Sequence, residues 1–408
     1  MSGAPQRVVI AGASAAGLSA ADGLREGGFE GTITVLSAER HPPYDRPTVS
    51  KDLLTADSEP GILELRTAER LKANCIDLRL GQEAVGLDID RNYVITSDGE
   101  PLPWDALVVA TGTRPRRLLT DDGTPLPVLR TIEDLRIIRA AVAQYGEITL
   151  IGSGFIGLEV AAGLVQKNVK VTVFDAAPLP LEPIVGREVA TSIRQLHRRH
   201  GVDMHGGATI TAVSGEPGRY CIHFADGAVH QTPFVLVGIG VDPNTDWLVG
   251  SGVQLSHGVN TDQAGRTNVP GVWAAGDIAL FEHPLLGSTV RVEHWTHAIE
   301  QGRHVGLNIM RDEPVPYGMP PYFWSDQYGK RFQSYGRRRP HDKAVVVHGS
   351  LDADEFLVLY GDENLHAVFA CGCERSLRSY RRLIERRGTF SQALEIARVE
   401  VEGRVRVS

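Results

Sequence analysis

The sequence predicts an α/β protein with two doubly wound parallel-sheet domains and an α+β C-terminal domain. Three observations carry this expectation. A strand, a glycine-rich turn, a helix and a second strand follow one another within roughly 30 residues, and the pattern occurs twice. Each copy is followed, further on, by an apolar strand ending in a glycine turn and a proline-punctuated loop. Near Tyr322 the character changes to short alternating strands and then helices.

Length and composition set the frame. The chain has 408 residues, 42% hydrophobic and 23% charged, ordinary for a globular protein. At roughly 100–200 residues per domain it holds two to four domains. The net charge of −8 argues against nucleic acid as a general partner. No apolar run approaches the ~18 residues of a membrane span, and the N-terminus lacks the apolar stretch of a secretory signal. A cytoplasmic location is expected. The four cysteines, Cys75, Cys221, Cys371 and Cys373, form no C-x-x-C pair. They are expected to be reduced and mostly buried, with no redox dithiol and no cysteine-held metal.

The first unit opens with residues 7–11, an apolar run rich in β-branched side chains that reads as a buried parallel strand. Gly12-Ala13-Ser14-Ala15-Ala16-Gly17 follows, then a helix over 18–26 and a strand over 32–36. This is a Rossmann-like dinucleotide-binding unit. Ser14 stands where the second glycine of G-x-G-x-x-G belongs. The acidic residue after the second strand, Glu39, comes slightly late for an adenosine ribose. The stretch 43–51, Pro-Tyr-Asp-Arg-Pro-Thr-Val-Ser-Lys, reads by itself as a surface loop.

The second unit has strands at 148–151 and 169–174 with a helix over 158–166 between them. Its loop, Gly152-Ser153-Gly154-Phe155-Ile156-Gly157, matches the glycine motif in full. The first glycine makes a tight turn, the second lets backbone approach a pyrophosphate, and the third packs helix on strand. Asp175 ends the second strand at the expected ~20-residue spacing. No Arg or Lys follows it closely. A carboxylate there accepts from a ribose 2′-hydroxyl and repels a 2′-phosphate, which favours NADH over NADPH. Glu159, two residues past Gly157, lies near where a nicotinamide enters; favourable placement of an acid near a helix N-terminus explains it equally well.

The runs 106–115, containing Ala110-Thr111-Gly112, and 234–244, containing Gly238-Ile239-Gly240, read as the crossings between domains. Residues 272–277 form a returning strand that ends at Gly276-Asp277. Asp277 is a candidate for a ribityl or phosphate contact, or a helix cap. The expected boundaries are 1–112 and 241–321 for one discontinuous domain, 113–240 for the inserted one and 322–408 for the C-terminal one. Within the last, 343–348 and 355–360 read as strands and 375–387 and 390–398 as helices.

Together these strings resemble the NADH-dependent ferredoxin reductases that serve cytochrome P450 and ring-hydroxylating oxygenase systems. The likeness runs nearly end to end. It rests on residues 12–17, 43–51, 110–112, Leu129-Arg130-Thr131, the Gly152 loop with Leu158-Glu159, and Gly276-Asp277. Its most specific element is Phe323-Trp324-Ser325-Asp326-Gln327. The resemblance implies a glutathione-reductase-like fold with FAD in the first domain and NADH in the inserted one. It places Arg46, Val85, Arg130, Asp277 and the run Glu293-His294-Trp295 on FAD. It sets Lys51 and Glu159 near the flavin as a pair and Trp324 beside it. Ala38 stands where the family has an Asp, so Glu39 is taken as its substitute.

The implied reaction passes a hydride from NADH to FAD and then single electrons to an acidic [2Fe–2S] ferredoxin in a transient complex, which feeds a P450 or Rieske oxygenase. Arg337-Arg338-Arg339 and Arg375, Arg378, Arg381, Arg382, Arg386 and Arg387 are solvated faces by default, and candidate docking surfaces by charge. Two other readings stay open: a rubredoxin reductase, and an NADH-sensing flavoprotein of the apoptosis-inducing-factor type.

Overall fold

The computed structural model describes residues 5–56, 61–353, 355–373 and 377–405, with side chains through residue 399. The chain divides into two compact units. The first comprises Met1–Asp45, Gly61–Arg114 and Asp242–Pro321; the second comprises Arg46–Pro60, Pro115–Val241 and Tyr322–Ser408. The inserted nucleotide unit and the C-terminal region thus cluster together, and residues 46–60 cluster with them.

The first unit is built on a five-stranded parallel sheet. Its order is Val272–Ala274, Ala106–Val109, Arg7–Ala11, Thr32–Ser37 and Ile76–Leu80. The inner strands Ala106–Val109 and Arg7–Ala11 are apolar because both faces are covered, whereas the edge strand Ile76–Leu80 carries Asp77 and Arg79 and is largely open. Val8 and Ile10 point into one core with Leu18, Leu24 and Val305, while Val9 and Ala11 point into another with Trp104, Leu248 and Ile278. The helices Ala15–Glu26 and Trp295–Ile309 pack on the first face. They approach closely because small residues line the contact. A Cβ on Gly302 would strike the Ala16 carbonyl, one on Gly306 the Ala20 carbonyl, and one on Gly23 the Arg303 carbonyl. A small antiparallel sheet, Ala84–Asp88, Tyr93–Thr96 and Pro101–Pro103, belongs to the same unit.

The second unit holds two larger sheets. One is parallel, in the order Asp203–Gly206, Lys170–Asp175, Glu147–Ile151 and Val235–Val237. The helices Ile132–Tyr145, Phe155–Val165 and Arg187–Arg199 belong to this part. Thr131 and Asp134 close a capping box at the first of them, which satisfies two amides that the helix cannot. The other sheet is antiparallel, in the order Tyr322–Gln327, Lys330–Gly336, Leu365–Cys371, Phe356–Gly361 and Lys343–Gly349. Its core joins Leu357, Leu359 and Val368 to Leu377, Tyr380 and Leu383 of the helix Leu377–Glu385.

Several local expectations are adjusted. Both nucleotide helices start three residues earlier than read, at Ala15 and Phe155, because the end of each glycine loop is already helical. The returning strand stops at Ala274, and Gly276–Ile278 is a 3₁₀ turn. The 43–51 stretch is no plain surface loop. Arg46–Ser50 is a 3₁₀ turn with Val49 and Ser50 buried. Only two of the cysteines are buried: Cys371 and Cys373 are, Cys221 is half-buried, and Cys75 is exposed. Cys75 lies at positive φ (49°) between the helix Ala68–Ala73 and the strand Ile76–Leu80, a turn that leaves its side chain outside. Arg375 lies outside the described residues. No described helix is long and apolar enough to cross a membrane.

Candidate functional site

In the first unit, the Gly12 loop lies between the strand Arg7–Ala11 and the helix Ala15–Glu26. Gly12 has φ +113°, and a Cβ there would strike the Ala110 carbonyl just past the end of the neighbouring strand Ala106–Val109. A Cβ on Gly17 would strike the Gly12 carbonyl. Ser14 is the N-cap at φ −94°, a conformation any residue adopts, so a side chain in place of the second glycine costs no strain. Its hydroxyl makes no capping bond. The opening amides of an α-helix lack intrahelical acceptors, and an anion such as a pyrophosphate completes them. The loop therefore fits the diphosphate of FAD.

Other predicted residues of this unit gather at the same end. Gly276, at φ +78°, is tight against Ala16: a Cβ there would lie 2.7 Å from the Ala16 Cβ. The Gly276 amide donates to Gln301 Oε1 at 2.8 Å. The Asp277 carbonyl accepts from Arg291 Nη1 at 3.0 Å, and the same guanidinium pairs with Glu293 at 2.7 Å. His294 is the N-cap of the helix that opens at Trp295. Thr111 and Gly112 are tied to Asn244, whose side chain donates to the Thr111 carbonyl at 2.9 Å and whose amide donates to the Gly112 carbonyl at 3.0 Å. Glu39 accepts from the Tyr44 hydroxyl at 2.7 Å, while the neighbouring Ala38 is exposed. Val85 stands apart, 49% exposed on the small antiparallel sheet.

The second unit repeats the device. Gly152 has φ +105°, and its Cβ would strike the Gly238 carbonyl; a Cβ on Gly157 would lie 2.7 Å from the Gly152 carbonyl. Gly240 sits at φ +102° and its carbonyl accepts from the Arg116 amide at 3.0 Å. Ile239 is half-buried and packs against the core of this unit. Gly154 differs from the other glycines of the motif. It is the N-cap at φ −71°, ψ 176°, and a Cβ there would meet nothing within 4 Å. Nothing in the fold demands glycine at 154, and the space over its Cβ position is open to a group that approaches the loop. Phe155 and Ile156 open the helix, and Ile156 is 44% exposed.

Asp175 ends its strand with the carboxylate turned back onto the loop. Oδ2 accepts from the Ser153 amide at 2.6 Å and the Ser153 hydroxyl at 2.5 Å, and Oδ1 accepts from the Ala177 amide at 2.7 Å. A carboxylate has about four acceptor positions, which leaves one for a ribose hydroxyl. The residues present fit an NAD(H) adenosine half.

Also in the second unit, Lys51 and Glu159 form an ion pair. Their side chains are 14% and 6% exposed. Glu159 is held from several sides. Ser50 donates to Oε2 at 2.6 Å, Ser325 donates to Oε1 at 2.8 Å, and the Asp326 amide reaches Oε1 at 3.3 Å. The Asp326 carboxylate lies 4.0 Å from Lys51 Nζ. This is more than an acid resting near a helix end. A buried carboxylate stripped of water must be paired and hydrogen-bonded, and here it is. Arg46 and Arg130 are also brought together, through an Arg46 Nη1 donation to the Arg130 carbonyl at 2.7 Å.

The strand Tyr322–Gln327 explains the geometry. Its residues alternate half-buried and buried. Phe323, Ser325 and Gln327 share one face. Phe323 meets Phe155 at 4.5 Å between ring centroids, Ser325 meets Glu159, and Gln327 meets His197. Trp324 lies on the opposite face, stacked with Tyr322 at 6.2 Å. The structure therefore joins Lys51 to Glu159 and sets Trp324 on the other side of the strand from Ser325. The sequence reading gave no individual role to Ser50, Ser325, Gln327 or His197. A period-two reading of the Phe323–Gln327 string would have shown the polar pair Ser325 and Gln327 sharing a face.

Comparisons with known proteins find relatives along nearly the whole chain. A family model described as pyridine nucleotide-disulphide oxidoreductase matches residues 6–302, and one described as reductase C-terminal matches residues 322–398. The chain is 35% identical over 369 residues to the ferredoxin–NAD(+) reductase component of the p-cumate 2,3-dioxygenase system of Pseudomonas putida, covering 90% of this chain and 89% of the relative. It is 33% identical to a rubredoxin–NAD(+) reductase of Pseudomonas putida, covering 88% and 94%. Among solved structures, the ferredoxin reductase for the CYP199A2 system from Rhodopseudomonas palustris aligns with a TM-score of 0.89 at 30% identity, over 94% of this chain and 95% of that one.

Proposed function

Because the chain belongs to the pyridine nucleotide-disulphide oxidoreductase family, whose cofactors are FAD and NAD(H), we propose that it is an FAD-dependent NADH:ferredoxin reductase. Its acceptor is an acidic [2Fe–2S] ferredoxin that supplies a P450 or Rieske oxygenase, and it works in the cytoplasm. The observation that carries this reading is the buried Lys51–Glu159 pair with its ring of hydroxyl donors. Residues 43–51 contain no cysteine, so a thiol relay has no place there, which supports an external electron acceptor.

The chemistry that bound FAD supplies is acceptance of a hydride and release of its electrons singly. The protein's part is binding, orientation and electrostatics. The amides after Gly12 and the Asp277 region hold FAD, with Glu39 in place of the acid missing at Ala38. The amides after Gly152 hold the pyrophosphate of NADH, and Gly154 leaves the room it needs. Asp175 keeps one acceptor position for the 2′-hydroxyl and repels a 2′-phosphate. Glu159, neutralised by Lys51 and fixed by Ser50 and Ser325, orients the nicotinamide amide at the acceptor position that only the long Asp326 amide contact (3.3 Å) fills in its absence. Burial of the pair keeps water from competing for that contact.

Replacing Glu159 by Ala leaves Lys51 in a half-dry site and removes the acceptor. Flavin reduction by NADH in an anaerobic stopped-flow experiment slows by about tenfold or more while FAD stays bound, the loss of a charged hydrogen bond of roughly 1.5–3 kcal/mol. An unchanged rate would remove Glu159 from the mechanism. The rubredoxin–NAD(+) reductase relative supports a second reading, in which the same donor half serves a rubredoxin; side-by-side turnover with both acceptors separates the two.

A further inference from the structure

We propose that His197 is a positioning residue for Glu159, acting through Gln327 and Ser325. The inference rests on the role of Glu159 given above. Four side chains stand in series behind the carboxylate. Tyr328 Oη is 2.8 Å from His197 Nδ1, His197 Nε2 is 2.9 Å from Gln327 Oε1, Gln327 Nε2 is 3.0 Å from Ser325 Oγ, and Ser325 Oγ is 2.8 Å from Glu159 Oε1.

The chemistry of the end group fixes the direction of every bond. An ionised carboxylate only accepts, so Ser325 must donate to it. The Ser325 oxygen then accepts from the amide nitrogen of Gln327, which turns Gln327 Oε1 towards His197. That oxygen only accepts, so His197 carries its proton on Nε2. Nδ1 is then bare and accepts from the Tyr328 hydroxyl. The whole chain points its protons at Glu159. One reversed group would break it.

Three further observations support the assignment. The middle of the chain is dry: His197, Gln327 and Ser325 are 0%, 3% and 0% exposed, so no water can substitute for a missing member. Burial lowers the pKa of His197 to about 4, with His200 adding to the effect and Gln327 opposing it, so the ring stays in the neutral form the chain needs. The far end is held under strain. Tyr328 has φ 55° and Gly329 φ 71°, the two positive values of a two-residue hairpin turn. Asn or Asp is the common choice at the first of these positions, and a bulky Tyr there is costly. The cost coincides with a side chain that bonds to His197 and stacks on His200 at 3.9 Å between centroids.

The test compares holoenzyme variants by anaerobic NADH reduction, with FAD content and melting temperature recorded for each. Ser325→Ala and His197→Leu should each slow flavin reduction by about fivefold, the worth of roughly one hydrogen bond. His197→Gln, which keeps an N–H at similar reach, should recover most of the rate. In a Glu159→Ala background, His197→Leu should have no further effect. Long-range ¹⁵N–¹H spectra of the resting protein should show His197 neutral with its proton on Nε2. A Glu159→Ala enzyme reduced at the native rate would overturn the role of Glu159, and the proposal with it. A slow Glu159→Ala enzyme beside native-rate Ser325→Ala and His197→Leu, additive effects in the double variant, or a His197 proton on Nδ1 would overturn the relay alone.

Discussion

At the scale of single residues, the glycines separate packing from binding. Gly152 at φ +105° abuts a carbonyl, so Gly152→Ala strains the backbone and lowers the stability of the apoprotein by more than about 1 kcal/mol. Gly154 lies at an ordinary dihedral with open space around its Cβ position, so Gly154→Ala leaves apoprotein melting within about 0.5 kcal/mol of native and weakens NADH binding several-fold. Melting and NADH titration on both variants check the contrast. Equal loss of stability in the two would refute it. The sequence made Gly154 and Gly152 legible as a motif, but only the dihedrals say which one serves the fold. The same comparison explains Ser14: its position tolerates a side chain, which is why the first motif departs from the pattern without losing its shape.

The residues around Glu159 were hidden for a different reason. Ser325 lies 166 positions from Glu159 and Ser50 lies 109 positions from it. No periodicity reaches across such separations. Glu159 was singled out by its place after the glycine loop and joined to Lys51 by a resemblance, while the hydroxyls that complete their site follow only from the placed strand and turn. Two buried histidines give a further residue-scale prediction. His197 and His297 ordinarily titrate near 6.5, and burial lowers them to about 4 and about 3. Between these values the unfolded chain binds protons that the folded chain refuses. Their contribution to stability is full above pH ~6.5 and is lost as pH falls towards 4. Melting temperature should drop between pH 7 and pH 5, and less steeply in His197→Gln. A flat profile over that range would contradict the burial of both rings.

At the scale of elements, the strands were legible because apolar β-branched runs are distinctive. Arg7–Ala11 and Lys343–Gly349 were found with few errors at their ends. The start of the first nucleotide helix was misread because small residues such as Ala15 and Ala16 carry no periodic signal. Those same small residues matter at the contact between Ala15–Glu26 and Trp295–Ile309. Gly302→Ala would push its Cβ into the Ala16 carbonyl. Overpacking of this kind costs about 1–3 kcal/mol. Because Ala16 belongs to the loop proposed to hold FAD, the variant should also release flavin more readily. Melting temperature and flavin fluorescence after dilution measure the two effects. Native values for both would mean that the helix pair is not set by its glycines.

At the scale of the whole molecule, composition excluded partners better than it chose one. A net charge of −8 speaks against nucleic acid, yet Arg337, Arg339, Arg378, Arg382, Arg386 and Arg387 are exposed on the C-terminal part of the second unit. An acidic protein carrier is the partner such a surface steers. The identity of the acceptor is encoded in a surface rather than in a motif, so the sequence could narrow it only by resemblance. The most direct test mixes the protein anaerobically with NADH, follows the loss of flavin absorbance, and then adds an oxidised acidic [2Fe–2S] ferredoxin. The account predicts bleaching by NADH well ahead of NADPH, followed by reduction of the ferredoxin and return of the flavin colour at a rate that falls as salt is raised. Reduced protein that leaves the ferredoxin oxidised, while passing electrons to a rubredoxin or holding them as a long-lived NAD complex, would contradict it.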